Sequence, residues 1–284
     1  MDSIGGQALI EGVLMKSPTH IGIAVRNQNS EIIVKREPYK SLTKKYKVLS
    51  IPFIRGSIVL GETMISGLKA LNYSSDIAMQ KDGEEESSFL SLFCTMLLSI
   101  AVALLVFKLL PLGITQLVAN ANALFENRFI FNLSEGVIKI GILIGYVYAI
   151  SFIPDIRRVF QYHGAEHMVV NAHEHNDLDN VRKYSTVHVR CGTSFILFVL
   201  GISILVYVFL PTEISFVSKY GLRILLLPLI AGIAYELIRI SPKYEKNILF
   251  QIFISPGLLV QKITTKEPDE AQIEVAKAAL KAAL

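Results

Sequence analysis

The stretch "FLSLFCTMLLSIAVALLVFKLL", residues 89–110, carries a single charged side chain, Lys108. A helix crosses the bilayer with about 20 predominantly apolar residues, so this run constrains the chain more than any other feature. Composition points the same way. With 52% hydrophobic residues, 18% charged residues and a mean hydropathy of +0.47, the chain is too apolar for an ordinary soluble domain and too charged to lie wholly in lipid. Three more segments read as spans: Leu133 to Ile153, which carries Glu135 and Lys139, the short Ser194 to Leu210, and Leu222 to Ile240. The expected fold is a membrane α-helical protein with about four transmembrane helices.

Basic residues orient it. Arg157, Arg158, Arg182, Lys183 and Arg190 fall between the second and third spans, whereas Arg128 and Lys219 are the lone basic residues in the two loops of the opposite side. The positive-inside rule therefore puts both termini in the cytoplasm of a multi-pass protein of the cell membrane. The net charge of +4 reads as topology, and nucleic acid is not an expected partner. "MDSIGGQALIEGVLM" is glycine-rich and acidic where a signal peptide is basic and then apolar. Cys94 and Cys191 lie far apart in different settings, so both are read as thiols.

The soluble parts flank the spans. Residues 1–50 read as a small antiparallel β unit, with strands Ile21 to Arg26 and Glu31 to Arg36 around "NQNS"; "GGQALIEGVLM" adds a strand or a glycine-shaped loop. In 51–88 an apolar helix interrupted by Arg55, Glu62 and Lys69 lies at the interface or against the bundle, followed by the acidic link "KDGEEESS". The spans and a cytoplasmic histidine-rich loop, 155–192, make up 89–240. In 241–284, "NILFQIFISPGLLVQK" reads as an interfacial or re-entrant helix pair broken at Pro256 and Gly257. Last comes an amphipathic helix with an Ile273, Ala276, Leu280, Leu284 stripe that needs something to pack on, its own sheet or a second copy, and a homo-oligomer is expected.

Chemistry concentrates in "FQYHGAEHMVVNAHEHND", residues 160–177. His163, Glu166 and His167 spell H-x-x-E-H, the reversed zinc-protease motif. On a helix, residues four apart share a face, so both imidazoles can reach one ion, with zinc the expected metal. Glu174 can complete a two-histidine, one-carboxylate set; His173, His175, His188 or a residue of the first unit serves as well. Glu166 is placed as general base for hydrolysis. A solvated, histidine-rich interfacial helix would show the same pattern.

A second polar cluster, "YSTVHVRCGTSF", leads into the third span. Its His188 and Cys191 can act as metal ligands, or Cys191 as a nucleophile beside Arg190; alternatively Arg190 anchors the interface, Cys191 packs, and Thr193 and Ser194 cap the helix. In the fourth span Glu236 and Arg239 sit three apart, either paired with each other at the cytoplasmic end or with Glu236 turned inward toward the metal or Arg190.

Five ordered blocks, "GGQALIEGVLMKSP", "HGAEHMVVNAHE", "VRKYSTVHVRCGTSF", "AYELIRI" and "PGLLVQKITTKEPDEAQIEVAKAAL", resemble the YqhQ-like family of uncharacterised bacterial and archaeal membrane proteins, a family of unknown function labelled as predicted metal-dependent enzymes. The family pattern maps onto Gly5, Gly6, Gln7, Glu11, Gly12, His163, Glu166, His167, Glu174, His188, Arg190, Cys191, Gly192, Thr193 and Glu236, while Met168 stands where many members are expected to carry a basic residue. The resemblance implies a metal-binding membrane protein and names no substrate. Two readings stay open: a metal-dependent hydrolase working at the cytoplasmic membrane face, and a non-catalytic, homo-oligomeric assembly or scaffold protein. A transporter fits less well, because no internal repeat is visible.

Overall fold

The computed structural model describes residues 4–79, 89–211, 213–244 and 247–284; the acidic link at 81–88 lies outside them. The chain begins as a four-stranded antiparallel meander, β1 Gly5–Leu9, β2 Gly12–Lys16, β3 His20–Arg26 and β4 Ile32–Pro38, paired in sequence order. "GGQALIEGVLM" is thus a complete hairpin, two strands with Glu11 at φ 50 in its turn. Helices follow: α1 Leu42–Lys45, α2 Ile54–Ala78, α3 Phe89–Leu104, α4 Leu110–Ala121, α5 Arg128–Ile150, α6 Pro154–Glu174, α7 Gly192–Tyr207, α8 Phe216–Leu225, α9 Leu227–Tyr244, α10 Ile248–Thr264 and α11 Glu270–Ala283.

The sheet is covered on both faces, and strand periodicity decides which residue meets which cover. Val13, Met15 and Ala24 join a core with α6 and α11, whereas Leu14, Ile21, Ile23 and Val25 point the other way, into a core shared with Ala70 of α2. That is why β2 and β3 read as continuous apolar runs. The edge strand β4 is left to solvent and carries Lys35, Arg36 and Pro38, features that discourage pairing with another chain.

The helix α11 starts at a capping box in which Asp269 and Gln272 satisfy each other's backbone N–H. Of the expected stripe, Ile273, Ala276 and Leu280 are buried on the chain's own sheet and α6, with Ala279 and Ala283 beside them; Leu284 is 57% exposed. The helix can lie this close because β3 has Gly22 under it, where a Cβ would run into the backbone of Ala279, Ala282 and Ala283.

Among the described residues, two helices are long and apolar enough to cross a membrane, Phe93–Ala121 and Arg128–Ile150; a third span exists if the bent pair Phe216–Leu225 and Leu227–Ser241 counts as one. The expected number of about four is not reached by length and composition. The first span does not stop near Leu110 but runs on to Ala121, passing Pro111 through a π-turn at Leu105–Leu109. A proline has no N–H for the carbonyl four residues back, and the ladder re-registers around it, with Leu110 bonding Leu105. The third segment forms only the 16-residue α7, about 24 Å long at about 1.5 Å per residue. The fourth starts earlier than expected and bends by 40° at Leu226, ahead of Pro228. The expected pair at Pro256 is one helix, α10, whose Gly257 crosses closely over Ser194 of α7.

The helix α2 ties bundle to sheet. At its start Gly56 packs on Tyr235 and Gly232 of α9, and Arg55 grips Glu236 through two bonds of 2.6 and 2.5 Å. At its far end Gly67 abuts Gln7, and Ser74 receives the N–H of Ile10. Placing a branched side chain under α11 tests this arrangement. Gly22→Val is expected to cost about 1–3 kcal/mol or more, the usual penalty of overpacking, seen as a lowered melting temperature in detergent; an unchanged melting temperature would remove α11 from β3.

Candidate metal centre

The centre is built on α6, whose start is set by Pro154 in the first turn with Asp155 beside it, and whose end is marked by Asn176 at φ 54. Two stripes of the helix do different work. Arg158, Tyr162 and Glu166, each four apart, face the β1–β2 hairpin. Arg158 pairs with Glu11 through both carboxylate oxygens, Tyr162 donates to the same group at 3.1 Å, and Glu166 packs against Gly6. The neighbouring stripe, His163 and His167, faces the segment 186–191 and the end of α10. Gly164 lies between, and its missing side chain lets the Lys266 carbonyl approach.

His163, His167 and Cys191 each offer one ligand atom, and these atoms lie within 4.8 Å of one another. The imidazole centres are 4.4 Å apart, and His163 Nε2 is 3.3 Å from Cys191 Sγ. His163 Nδ1 is 2.9 Å from the Thr264 carbonyl and His167 Nδ1 is 2.6 Å from the Thr186 carbonyl. A carbonyl only accepts, so Nδ1 carries the proton in both rings and each Nε2 lone pair is left facing the cluster. Backbone pinning of the remote nitrogen is how metal-binding histidines are oriented. Cys191 caps α7, its sulfur accepting the Thr193 N–H at 3.4 Å.

Burial dominates the electrostatics. It draws the His167 imidazole well below its usual range, keeping it neutral and ligand-ready, and the nearby His163 and His188 act in the same direction. It pushes the Cys191 thiol up to about 11 against the helix-start N–H groups. A bound cation would favour the thiolate. Burial also raises Glu166, opposed by His163, His188 and the Gly6 N–H; its carboxylate is 3.4 Å from His167 Nε2. The donors therefore fit a soft-to-borderline divalent ion such as zinc, for which two imidazoles and a thiolate are a familiar ligand set.

Residues 51–284 match the family described as a protein of unknown function, DUF1385. The chain is also 35% identical to the uncharacterized protein YqhQ of Bacillus subtilis over 96% of its own length and 89% of that protein's. It belongs to this family of unknown function. No solved structure matches it.

The other expected site residues of this family member lie elsewhere. Glu174 is held by Arg190 and sits 3.4 Å from His188 Nε2, so the histidine pair meets Cys191 instead of Glu174. His188 stacks obliquely 5.8 Å from His167, a neighbour of the cluster whose ring nitrogens meet Glu174 and the Arg190 N–H. Thr193 touches Cys191 through its N–H and Thr264 through its hydroxyl. Glu236 meets Arg55, with Arg239 at 3.9 Å, and neither Arg190 nor the cluster. Met168 is 1% exposed, in the hydrophobic core shared with α11.

One residue escaped the sequence reading. Buried Gln261 receives the His188 N–H at 2.9 Å and donates to the His188 carbonyl at 3.0 Å and the Ser194 hydroxyl at 2.8 Å, clamping the Cys191 loop to α10. Its signal was an amide within an apolar segment. The Gly6–Glu166 contact yields a test. A Cβ on Gly6 would lie 2.7 Å from both the Glu166 side chain and the Leu14 carbonyl, so Gly6→Ala should cost about 1–3 kcal/mol. Combining it with Glu166→Ala should recover part of that loss, and strictly additive melting shifts would show that the two positions do not touch.

Proposed function

We propose that this is a membrane-embedded, metal-dependent hydrolase with a zinc ion held by His163, His167 and Cys191 at the cytoplasmic face. The convergence of two imidazole Nε2 atoms and a buried thiol, with each remote imidazole nitrogen pinned to a backbone carbonyl, carries this reading. A zinc ion held by these three side chains would supply a Lewis acid for hydrolysis. Glu166 is the proton-transfer group. Buried beside the cluster and steadied by the Gly6 N–H, it takes the proton of the attacking water and returns it to the leaving group. The substrate is a lipid, peptide or other molecule presented at the membrane surface.

The cytoplasmic placement is supported by chain order: α5 ends at Ile150 and α6 starts at Pro154, at the end of α5 away from the Asn122 loop, and Arg157 and Arg158 follow, as the positive-inside rule expects of a cytoplasmic face. In the scaffold alternative the polar clusters build subunit contacts and the tail helix docks on a neighbour; α11 instead packs on its own chain's sheet, which removes one of its two supports.

Elemental analysis is the direct test. The purified chain is expected to carry close to one zinc, His167→Ala and Cys191→Ser to lose it, and Glu166→Gln to keep it while any hydrolytic turnover falls about 10²–10⁴-fold. Metal-free wild type, or equal metal in all variants, would end the proposal. For topology, a cysteine at Asn122 should react with an impermeant maleimide from outside intact cells and one at Lys183 should not; labelling at Lys183 would place the site on the other face.

A further inference from the structure

A second polar cluster sits inside the helical bundle. Lys108 in the π-turn before α4, Glu135 and Lys139 of α5, and Lys219 and Arg223 of α8 are all buried, none more than 6% exposed. Glu135 is bonded three ways, to Arg223 Nε and Nη2 and, at 2.5 Å, to Lys139 Nζ. Arg223 also donates to Asn132 Oδ1 at 2.9 Å. Lys108 and Lys219 have neutral acceptors, the Tyr207 hydroxyl at 3.1 Å and Gln116 Oε1 at 2.7 Å. Four cations thus surround one carboxylate, and no other ion pair reaches them among the described residues.

The local aromatic rings do not balance this surplus. Lys108, Lys139 and Arg223 lie 5.3, 4.8 and 4.9 Å from the centre of the single Tyr207 ring. A cation–π contact offsets only part of the cost of desolvating an ion. An ammonium has three N–H groups, and each of these lysines spends one on an acceptor within the bundle.

The surroundings are those of a ligand site. Lys108 lies in a π-turn, and Arg223 stands just before the bend between α8 and α9; broken helices within a bundle tend to line binding sites. Glu135 and Lys139 lie roughly 10 and 17 Å along α5 from Arg128 at about 1.5 Å per residue. Lys219 and Arg223 follow one turn apart on α8, so the cations descend from the end of the bundle that holds the Asn122 loop, away from the histidine cluster.

On the membrane reading of α3 to α5 and α8, we propose that this cluster binds an oxyanion of the phosphate class through its lysines. A phosphate group brings more than one negative charge and several acceptor oxygens, matching a cluster with more basic groups than carboxylates and with N–H donors left over. The group comes from a free anion or from the headgroup of an acidic lipid.

The test uses the full chain in phosphatidylcholine nanodiscs, with thermal unfolding followed by circular dichroism. Inorganic phosphate is added against chloride at matched ionic strength, and in a separate arm phosphatidylglycerol replaces part of the lipid. One of them is expected to raise the melting temperature by several degrees, phosphate identifying a free anion and phosphatidylglycerol a lipid headgroup. Lys108→Met should lose the response, and Lys219→Gln serves if that variant does not fold. No rise in the wild type with either addition, or an undiminished rise in the folded variants, overturns the proposal.

Discussion

One turn of α6 buries a carboxylate next to two imidazoles, and much of the chain is arranged to make that burial tolerable. Glu166 and His167 are 5% and 2% exposed, and polar groups removed from water to that degree cost several kcal/mol unless they find partners. The partners come from three distant segments: the Gly6 N–H from the hairpin, the Thr186 carbonyl from the loop before α7, and the Thr264 carbonyl from the end of α10. Each supplier is itself fixed. Arg158 and Tyr162 hold the hairpin through Glu11, Gln261 holds the loop, and Lys266 bonds back to Phe160 of α6. The sheet and the bundle therefore meet at α6 because the polar groups of that helix leave them little choice.

The histidine pair was legible in the sequence because it depends only on helical spacing, which places residues four apart on one face. The choice of Cys191 over Glu174 was not, although His188 and Cys191 stood among the possible ligands. Glu174 looked suitable by periodicity, yet it lies about 16 Å from His163 along the axis at about 1.5 Å per residue, and Arg190 claims it. Cys191 reaches the pair only because the intervening chain folds back and is clamped by Gln261, a long-range closure that no local pattern encodes. The glycines of "GGQALIEG" were similarly ambiguous, since Gly6 answers to the approach of Glu166 and not to turn geometry.

In the apolar half, hydropathy located the helices but misplaced their ends. Proline commonly terminates a helix in water; within the bundle Pro111 is accommodated by a π-turn, and Pro256 lies inside α10. The helix α8 inverts the usual rule of amphipathicity. Its Lys219 and Arg223 suggest a solvent-facing stripe, but the pair is buried and exposed Val217 and Leu225 take the outside. Against lipid, polar side chains gain by turning toward each other, so a pattern that marks a surface in water marks an interior here.

The two polar centres share one element. Cys191 caps the start of α7, and Tyr207, which receives Lys108 and donates to the Arg223 carbonyl, closes its other end. Near Cys191 the helix is fixed by Gly257 against Ser194 and by the Gln261 bonds; near Tyr207 it is fixed by three cations around one ring. An α-helix transmits displacement along its axis because each turn is tied to the next by backbone hydrogen bonds. The cationic cluster and the histidine–cysteine cluster therefore stand at opposite ends of one helix, about 24 Å apart along its axis.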